Sequence, residues 1–481
     1  MWQISTIIRI LLFVALSVIQ LMNLSNNSIT KSQKKLFRQI NRTERQAYNV
    51  TKSALSRKRF NRFIRLLGPG LVTGAADDDP SGIATYSQAG ATHGYGLLWA
   101  FPLMYPLLLA VQESCARIGA ITGKGLAAVI KDNYNRRLLY MSVLLVVVAN
   151  TVNIGADLGA MAATTQLFVN LPYAFLAFFY ASIVVLLVIF VRYKTYAKIL
   201  KWLAVSLLAY PVTVFLVGQN WSEIFQNTFT VRPKIDFETM YILVGILGTT
   251  ISPYLFFWDT SEVVEEEISK RNISKIGEVP KTTRRFLHNL HVDNFVGMTL
   301  ANVTAWFIVI ACASTLFKNG ITEINTAADA AHALEPLVQG FPNAGLLAKL
   351  IFSVGIIGLG LLAVPVLAGS SSYAISEAIG WKEGLYRKVK KATGFYTVII
   401  LATLVGLGIN FLGIDPIKAL VFTAVFNGIA AIPLLLMIYK IGNNKNIMGE
   451  YKNSIVSNIF ISIAFFAMSA AVLVLIFSWV R

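Results

Sequence analysis

Gly68-Pro69-Gly70-Leu71-Val72-Thr73-Gly74-Ala75-Ala76-Asp77-Asp78-Asp79-Pro80-Ser81-Gly82 interrupts a stretch that is otherwise apolar enough to enter a bilayer. Three consecutive carboxylates, a proline and flanking glycines are costly in hydrocarbon, and are kept there only for a reason. A second interruption, Thr249-Thr250-Ile251-Ser252-Pro253-Tyr254, breaks another apolar segment in the second half of the chain. Two broken helices at corresponding places in two halves point to a substrate site buried at mid-membrane in a secondary transporter.

Composition agrees. Of 481 residues 56% are hydrophobic and 14% charged, and the mean hydropathy is +0.62. An ordinary soluble enzyme and a disordered chain are both excluded. The two cysteines, Cys115 and Cys312, lie in apolar segments and offer neither a disulfide framework nor a soft metal site. The formal charge of +18 fits the basic cytoplasmic loops of a membrane protein better than nucleic-acid binding.

A span needs about 20 apolar residues. Eleven segments qualify: 66–90, 96–116, 138–163, 171–191, 199–217, 239–258, 294–316, 345–373, 395–413, 417–438 and 454–480. Positive charge falls on alternate connections: the tail 30–65, then the loops holding Lys124 to Arg137, Arg192 to Lys201, Lys270 to Arg285 and Lys382 to Lys391. That bias predicts a multi-pass protein of the cell's inner (plasma) membrane, with a cytoplasmic basic N-terminal tail and the C-terminus outside. The apolar run Ile7 to Leu16 is short. It reads as a twelfth helix, an interfacial anchor or an upstream extension with Met22 as the true start. It lacks the small-residue site of a cleaved signal peptide.

Pro80 and Pro253 each remove a backbone donor and clash with the preceding turn. Carbonyls just upstream, around Ala76 and Thr249, are thereby released as oxygen ligands, which membrane interiors allow only where protein or a wet cavity receives them. Asp79 adds a full negative charge beside the break. A divalent cation is an effective way to compensate it. The candidate shell is Asp79, the Ala76 carbonyl, Ser81, Thr249 and Ser252, an all-oxygen set suited to Mg2+, Mn2+ or Ca2+ and without a soft ligand. In the third span Asn150, Asn153 and Asp157 share one helical face, and Asp157 is expected in the same cavity. Gln112 and Glu113 lie deep in the second span.

Each of these residues has a plainer role open to it. Pro253 can simply kink a helix. Ser252 and Thr250 can return hydrogen bonds to their own helix. Asp77 and Asp78 can line a vestibule, and Asn153 can bridge helices. The acids Glu262, Glu265, Glu266 and Glu267 read as a solvated cytoplasmic face after the sixth span.

The stretch from Gly68 through Asp79-Pro80-Ser81-Gly82 to Gln88-Ala89-Gly90 resembles the first core helix of the natural resistance-associated macrophage proteins. That family imports divalent transition metals, usually with protons. Its pattern there is Asp-Pro-Gly-Asn. Asp79 and Pro80 match, Ser81 stands for the glycine, and Gly82 stands for the metal-binding asparagine. Its sixth-helix Met-Pro-His reads Ser252-Pro253-Tyr254 here, without the thioether or the histidine associated with proton movement. Its Asp-Leu-Ala-Glu in the third helix reads Asp157-Leu158-Gly159-Ala160. The likeness covers about residues 62–440 and includes Gly369-Ser370-Ser371-Ser372 and Ala431-Ile432-Pro433-Leu434-Leu435. The departures resemble the related bacterial branch that moves Mg2+ and Mn2+ without evident proton coupling.

The resemblance implies an all-α membrane protein of the leucine-transporter fold (the amino-acid–polyamine–organocation superfamily), with two inverted five-helix repeats, an eleventh helix and a possible extra N-terminal helix. The corresponding divisions are an N-terminal segment 1–65, a first repeat 66–217, a second repeat 239–438 and a last helix 454–481. It implies a non-enzymatic carrier with no cofactor, no nucleic-acid partner and a monomeric state, importing Mg2+ and also Mn2+ by alternating access without obligatory proton coupling. Import needs no proton when the interior is negative, since each charge gains about 2.3 kcal/mol per 100 mV. Two other classes stay open: a proton-coupled Mn2+ or Fe2+ importer, and an amino-acid or organic-cation carrier on the same fold, which the three acids disfavour.

Overall fold

The computed structural model describes residues 73–74, 76–191, 207–232, 234–280, 282–338 and 343–480. The apolar run 7–16, the basic tail and Gly68-Pro69-Gly70 lie outside the described residues. Among the described residues all regular structure is helical. After helical residues 73–74 and 76–77 come α1 (Pro80–His93), α2 (Ala100–Thr122), α3 (Leu126–Asn133), α4 (Arg136–Gln166), α5 (Tyr173–Phe190), α6 (Ala209–Leu216), α7 (Trp221–Phe229), α8 (Phe237–Thr250) and α9 (Pro253–Ser269). The second half continues with α10 (Arg284–Thr315), α11 (Ala327–His332), α12 (Glu335–Val338), α13 (Ala344–Ile379), α14 (Thr393–Ile409), α15 (Pro416–Asn443), α16 (Lys445–Met448) and α17 (Ile455–Val480).

Both predicted breaks are present, and sequence explains where each helix restarts. Proline is favoured at the first helical position, where its missing N–H is not needed. Pro80 and Pro253 both occupy it. Asp79 precedes α1 in extended conformation (φ −66°, ψ 171°) and its side chain caps the Gly82 N–H. Ser252 precedes α9 likewise extended (φ −75°, ψ 125°), but its hydroxyl does not cap.

Seven helical stretches among the described residues are long and apolar enough to cross a membrane, with α8 and α9 counted as one crossing from Phe237 to Ser269. The other expected spans have local reasons to miss that threshold. The first and fifth are described only in part, α14 is short, and α2 carries Pro106, Gln112, Glu113 and Arg117. Helix α4 packs against α13, α15, α14 and α5, while α8 and α9 pack against α15 and α2 respectively. The aromatic rings of Trp258 on α9, Tyr373 on α13 and Phe395 on α14 meet edge to face, with centroids 6.2 Å and 4.8 Å apart along that row, a favourable quadrupole geometry.

Three sequence expectations need correction. The sixth span continues well past residue 258, so Glu262, Glu265 and Glu267 are buried rather than solvated. Glu266, part exposed, pairs with Lys270 at 2.8 Å. The connection after the second span is not a plain loop but holds α3, and Glu377 explains both findings. Its Oε2 accepts from the Ala127 and Ala128 N–H groups at 2.8 and 3.1 Å, and its Oε1 accepts from the Ser261 hydroxyl at 2.9 Å. A carboxylate on exposed amides at a helix start is a stable arrangement. Nearby, Glu265 accepts from the Tyr373 hydroxyl and from the Leu385 N–H at 2.5 Å. Third, Glu113 is not deep in the bilayer core. It is part exposed, paired with Arg117 and, at 3.0 Å, with His291.

Candidate functional site

The site is built on Asp79, whose side chain points back over the first turn of α1. Oδ1 accepts from the Ser81 hydroxyl at 2.6 Å and from the Gly82 N–H at 2.8 Å. Oδ2 accepts from Asn153 Nδ2 at 3.0 Å and from the Tyr254 hydroxyl at 3.4 Å. Four donors from three helices therefore converge on one carboxylate, which is 1% exposed. Such donors are the kind that hold a carboxylate in place when it carries charge.

The two breaks are bridged by Tyr254. It follows Pro253 in the first turn of α9, and its hydroxyl donates to the Ala76 carbonyl at 2.9 Å. The released carbonyl expected at Ala76 is thus present, and a side chain from the opposite break occupies it. The Tyr254 hydroxyl thus sits against both the Ala76 oxygen and Asp79 Oδ2. The Tyr254 carbonyl in turn accepts from Ser370 on α13 at 2.8 Å, which fixes the restart of α9 against a neighbour.

Asn153 links the site to α15: its Oδ1 accepts from the Thr423 hydroxyl at 3.0 Å. Asn150 turns the other way, to the Leu367 carbonyl and Ser371 hydroxyl on α13 at 3.1 and 3.0 Å, and serves helix packing. Asp157 is 0% exposed, close enough to Asp79 for like-charge repulsion, and neither of its oxygens has a hydrogen-bond partner.

The other predicted residues fall around this centre. Ser81 braces Asp79. Ser252 donates back to the Gly248 carbonyl at 3.2 Å and to the Thr249 carbonyl, the self-bonding that serine favours in a helix. The Thr249 hydroxyl has no partner and faces Gly82: a Cβ built on Gly82 would lie 3.1 Å from Thr249 Oγ1 and 3.3 Å from Tyr86 Cε2. The Tyr86 hydroxyl shares a hydrogen bond with Thr250 at 3.0 Å. A side chain at position 82 would therefore press on Thr249 and Tyr86, which would have to give way by a few tenths of an ångström. Sequence reasoning missed Tyr254 and Tyr86 as site residues. Their positions, one just after the second break and one a turn past Gly82, are the signal that could have found them.

The family model described as "Natural resistance-associated macrophage protein-like" matches residues 70–478 of the chain. A curated "Divalent metal cation transporter MntH" of Caldanaerobacter subterraneus subsp. tengcongensis is 28% identical over 413 residues, which are 82% of this chain and 88% of that protein. Among solved structures, a manganese transporter of Eremococcus coleocola superposes with TM-score 0.63 at 16% identity, covering 88% of this chain and 92% of that one. MhsT in complex with L-phenylalanine superposes with TM-score 0.55 at 13% identity, covering 86% and 98%. The two structures share the all-α, leucine-transporter-like fold with this chain.

Proposed function

We infer that this chain, which belongs to the natural resistance-associated macrophage protein-like family and is a membrane-embedded secondary transporter of divalent metal cations, carries Mn2+ through the cleft between its two broken helices. The observation that carries the reading is Asp79: a buried carboxylate where both breaks meet, beside the buried Asp77 and Asp78, with the Ala76 carbonyl bridged to it by Tyr254. Asp79 supplies charge. Ala76, and Thr249 once Ser252 releases it, supply carbonyl oxygens, and Ser81 and Asn153 hold the carboxylate in place. Naming of the relative as a divalent metal cation transporter and of the structural neighbour as a manganese transporter supports Mn2+, with Fe2+ beside it, ahead of Mg2+. If protons accompany the metal, Asp157 is the acceptor we assign, because its oxygens are free and it sits beside Asp79.

A second reading, transport of Mg2+ without proton coupling as in the magnesium branch of the family, draws on the donor set itself. Ser252 stands where a thioether would select a soft ion, and Tyr254 where an imidazole would carry a proton. Oxygen donors alone discriminate little between Mn2+ and Mg2+. We assign residues 66–217 and 239–438 to two inverted repeats and 454–481 to an added helix, in the plasma membrane.

Purified protein in liposomes decides between these readings. Uptake of Mn2+ and of Mg2+ is followed with an entrapped metal dye, and internal pH with a second dye. Mn2+ uptake with acidification supports the first reading. Equal competition by Mg2+ and a silent pH dye supports the second. Uptake of neither ion would sink both.

A further inference from the structure

Buried polar groups of this chain are not confined to the breaks. Asp259 lies on α9 and is 0% exposed. Asp293 and Asn294 approach it from α10, Gln112 from α2, and Thr73 from the turn before the first break. Asn294 Nδ2 donates to Asp259 Oδ2 and to the Gln112 carbonyl, each at 3.4 Å. Thr73 hydrogen-bonds the Asp259 carboxylate, and Asp293 is near enough to repel it. The close crossing that allows this is glycine on glycine: a Cβ on Gly74 would lie 2.4 Å from the Gly297 carbonyl carbon.

What these contacts leave over is informative. Asp259 Oδ1, Asn294 Oδ1 and both polar side-chain atoms of Gln112 have no hydrogen-bond partner, and these residues are 0 to 2% exposed. Asp259 and Asn294 are already joined through Oδ2 and Nδ2, so each keeps its other oxygen for a further partner. Buried acceptors without a donor are costly, and a carboxylate at that burial more so. Among the described residues Asp259 has no ion-pair partner. The donors are carboxylate and amide oxygens, which suit a hard cation. Asp259 and Asp293 bring two carboxylates to this crossing. The cluster also lies on the side of the break that leads to the basic 270–285 connection, the side that loop charge assigns to the cytoplasm.

We propose that Asp259, Asp293, Asn294 and Gln112 form a second divalent-cation site between the Asp79 cleft and the cytoplasm, occupied by the cargo on its way through. The proposal rests on the reading of Asp79 as the transport site. In alternating access an ion leaving Asp79 meets α9 next, since Tyr254 in the first turn of α9 donates to Asp79 and Asp259 lies further along the same helix. Asp259 gives the departing cation a carboxylate before bulk water does, and Asn294 replaces one of its lost waters.

The experiment is Mn2+ binding to the purified full chain, counted by the loss of the free-ion electron paramagnetic resonance signal. Wild type binds two equivalents, Asp79→Asn binds one, Asp259→Asn binds one, and the combined variant binds none. Asn294→Leu is the second variant: it removes the free amide oxygen without touching a carboxylate, and weakens the same equivalent that Asp259→Asn removes. Thermal melting establishes that each variant is folded. A wild-type stoichiometry of one, or an Asp259→Asn count equal to wild type, overturns the proposal. Wild-type Mn2+ uptake by Asp79→Asn would instead defeat the transport-site reading while leaving the count of two unchanged, so the two failures are distinguishable.

Discussion

Replacing Asp79 with asparagine preserves shape and removes charge. The structure says which contacts survive. With its carbonyl oxygen in the Oδ1 position, the amide still accepts from Ser81 and Gly82, the donors that stand at 2.6 and 2.8 Å from the carboxylate. Its NH2 then faces two donors, Asn153 Nδ2 and the Tyr254 hydroxyl. Tyr254 keeps the Ala76 carbonyl, and Asn153 keeps its bond from Thr423, so one amide donor is orphaned. That costs the fold about 1–3 kcal/mol, tolerable for a protein of this size. The cation loses its one charged ligand in the cleft, a contact worth about 3 kcal/mol or about 150-fold in affinity. Initial rates of Mn2+ uptake into liposomes, across a range of Mn2+ concentrations, read the effect. Size-exclusion and melting profiles show whether the variant is intact. Uptake within about threefold of wild type by an intact variant would refute the assignment of Asp79.

Three further changes bear on selectivity, packing and pH. Ser252→Met adds a soft donor and frees the Gly248 and Thr249 carbonyls that the hydroxyl now engages; Mn2+ should gain about tenfold over Mg2+ in competition uptake, and an unchanged ratio would place selectivity elsewhere. Gly82→Asn drives a side chain into Thr249 and Tyr86 and should cost about 1–3 kcal/mol by overpacking; adding Thr249→Ala should restore the melting temperature, and no recovery would show that the clash lies with other atoms. Burial first, then the Glu377 and Glu265 carboxylates, hold the Glu383 carboxyl well above the usual carboxylate range, against the opposing pulls of Arg387 and Lys131. Such a group is protonated in the fold and ionised when unfolded, so the stability it contributes is full below the unfolded value of about 4.3 and drains as pH climbs towards the raised folded value. Glu383→Gln should flatten the melting temperature across that window, and superimposable pH profiles for variant and wild type would count against it.

The breaks were legible because each proline stands beside polar residues in an apolar run; proline alone does not break a helix here, since Pro106, Pro365 and Pro433 lie inside continuous helices. Asp79 followed directly. Asn153 and Asp157 were legible as a face, since helical period is carried by one strand of sequence. The partners across helices were not. That Tyr254 would reach back to Ala76, or that Tyr86 and Thr249 would occupy the room above Gly82, depends on the register between two helices, and no local pattern encodes it. The burial of Glu262, Glu265 and Glu267 was missed for the same reason. A run of acids near the end of an apolar segment reads as solvated until a hydroxyl or a helix start from another element is known to receive it, as the Tyr373 hydroxyl receives Glu265.

Hydrogen-bond satisfaction then sorts the buried acids by role. Glu377 has both oxygens engaged, by two backbone amides and a serine hydroxyl, and Glu265 takes a tyrosine hydroxyl and a backbone amide. Neither has reason to seek a cation, and each ties α13 or its following loop to α9 or α3, which makes them fasteners of this end of the bundle. Asp79 is also fully engaged, but mostly by side-chain hydroxyl and amide donors that can rotate away, one of them from the opposing break. Asp157 and Asp259 retain free oxygens at full burial, one beside Asp79 and the other past the second break. On the proposed route an ion moving from Asp79 towards Asp259 passes between side-chain donors and unfilled oxygens, while the contacts that tie α13 to α3 and α9 stay in place.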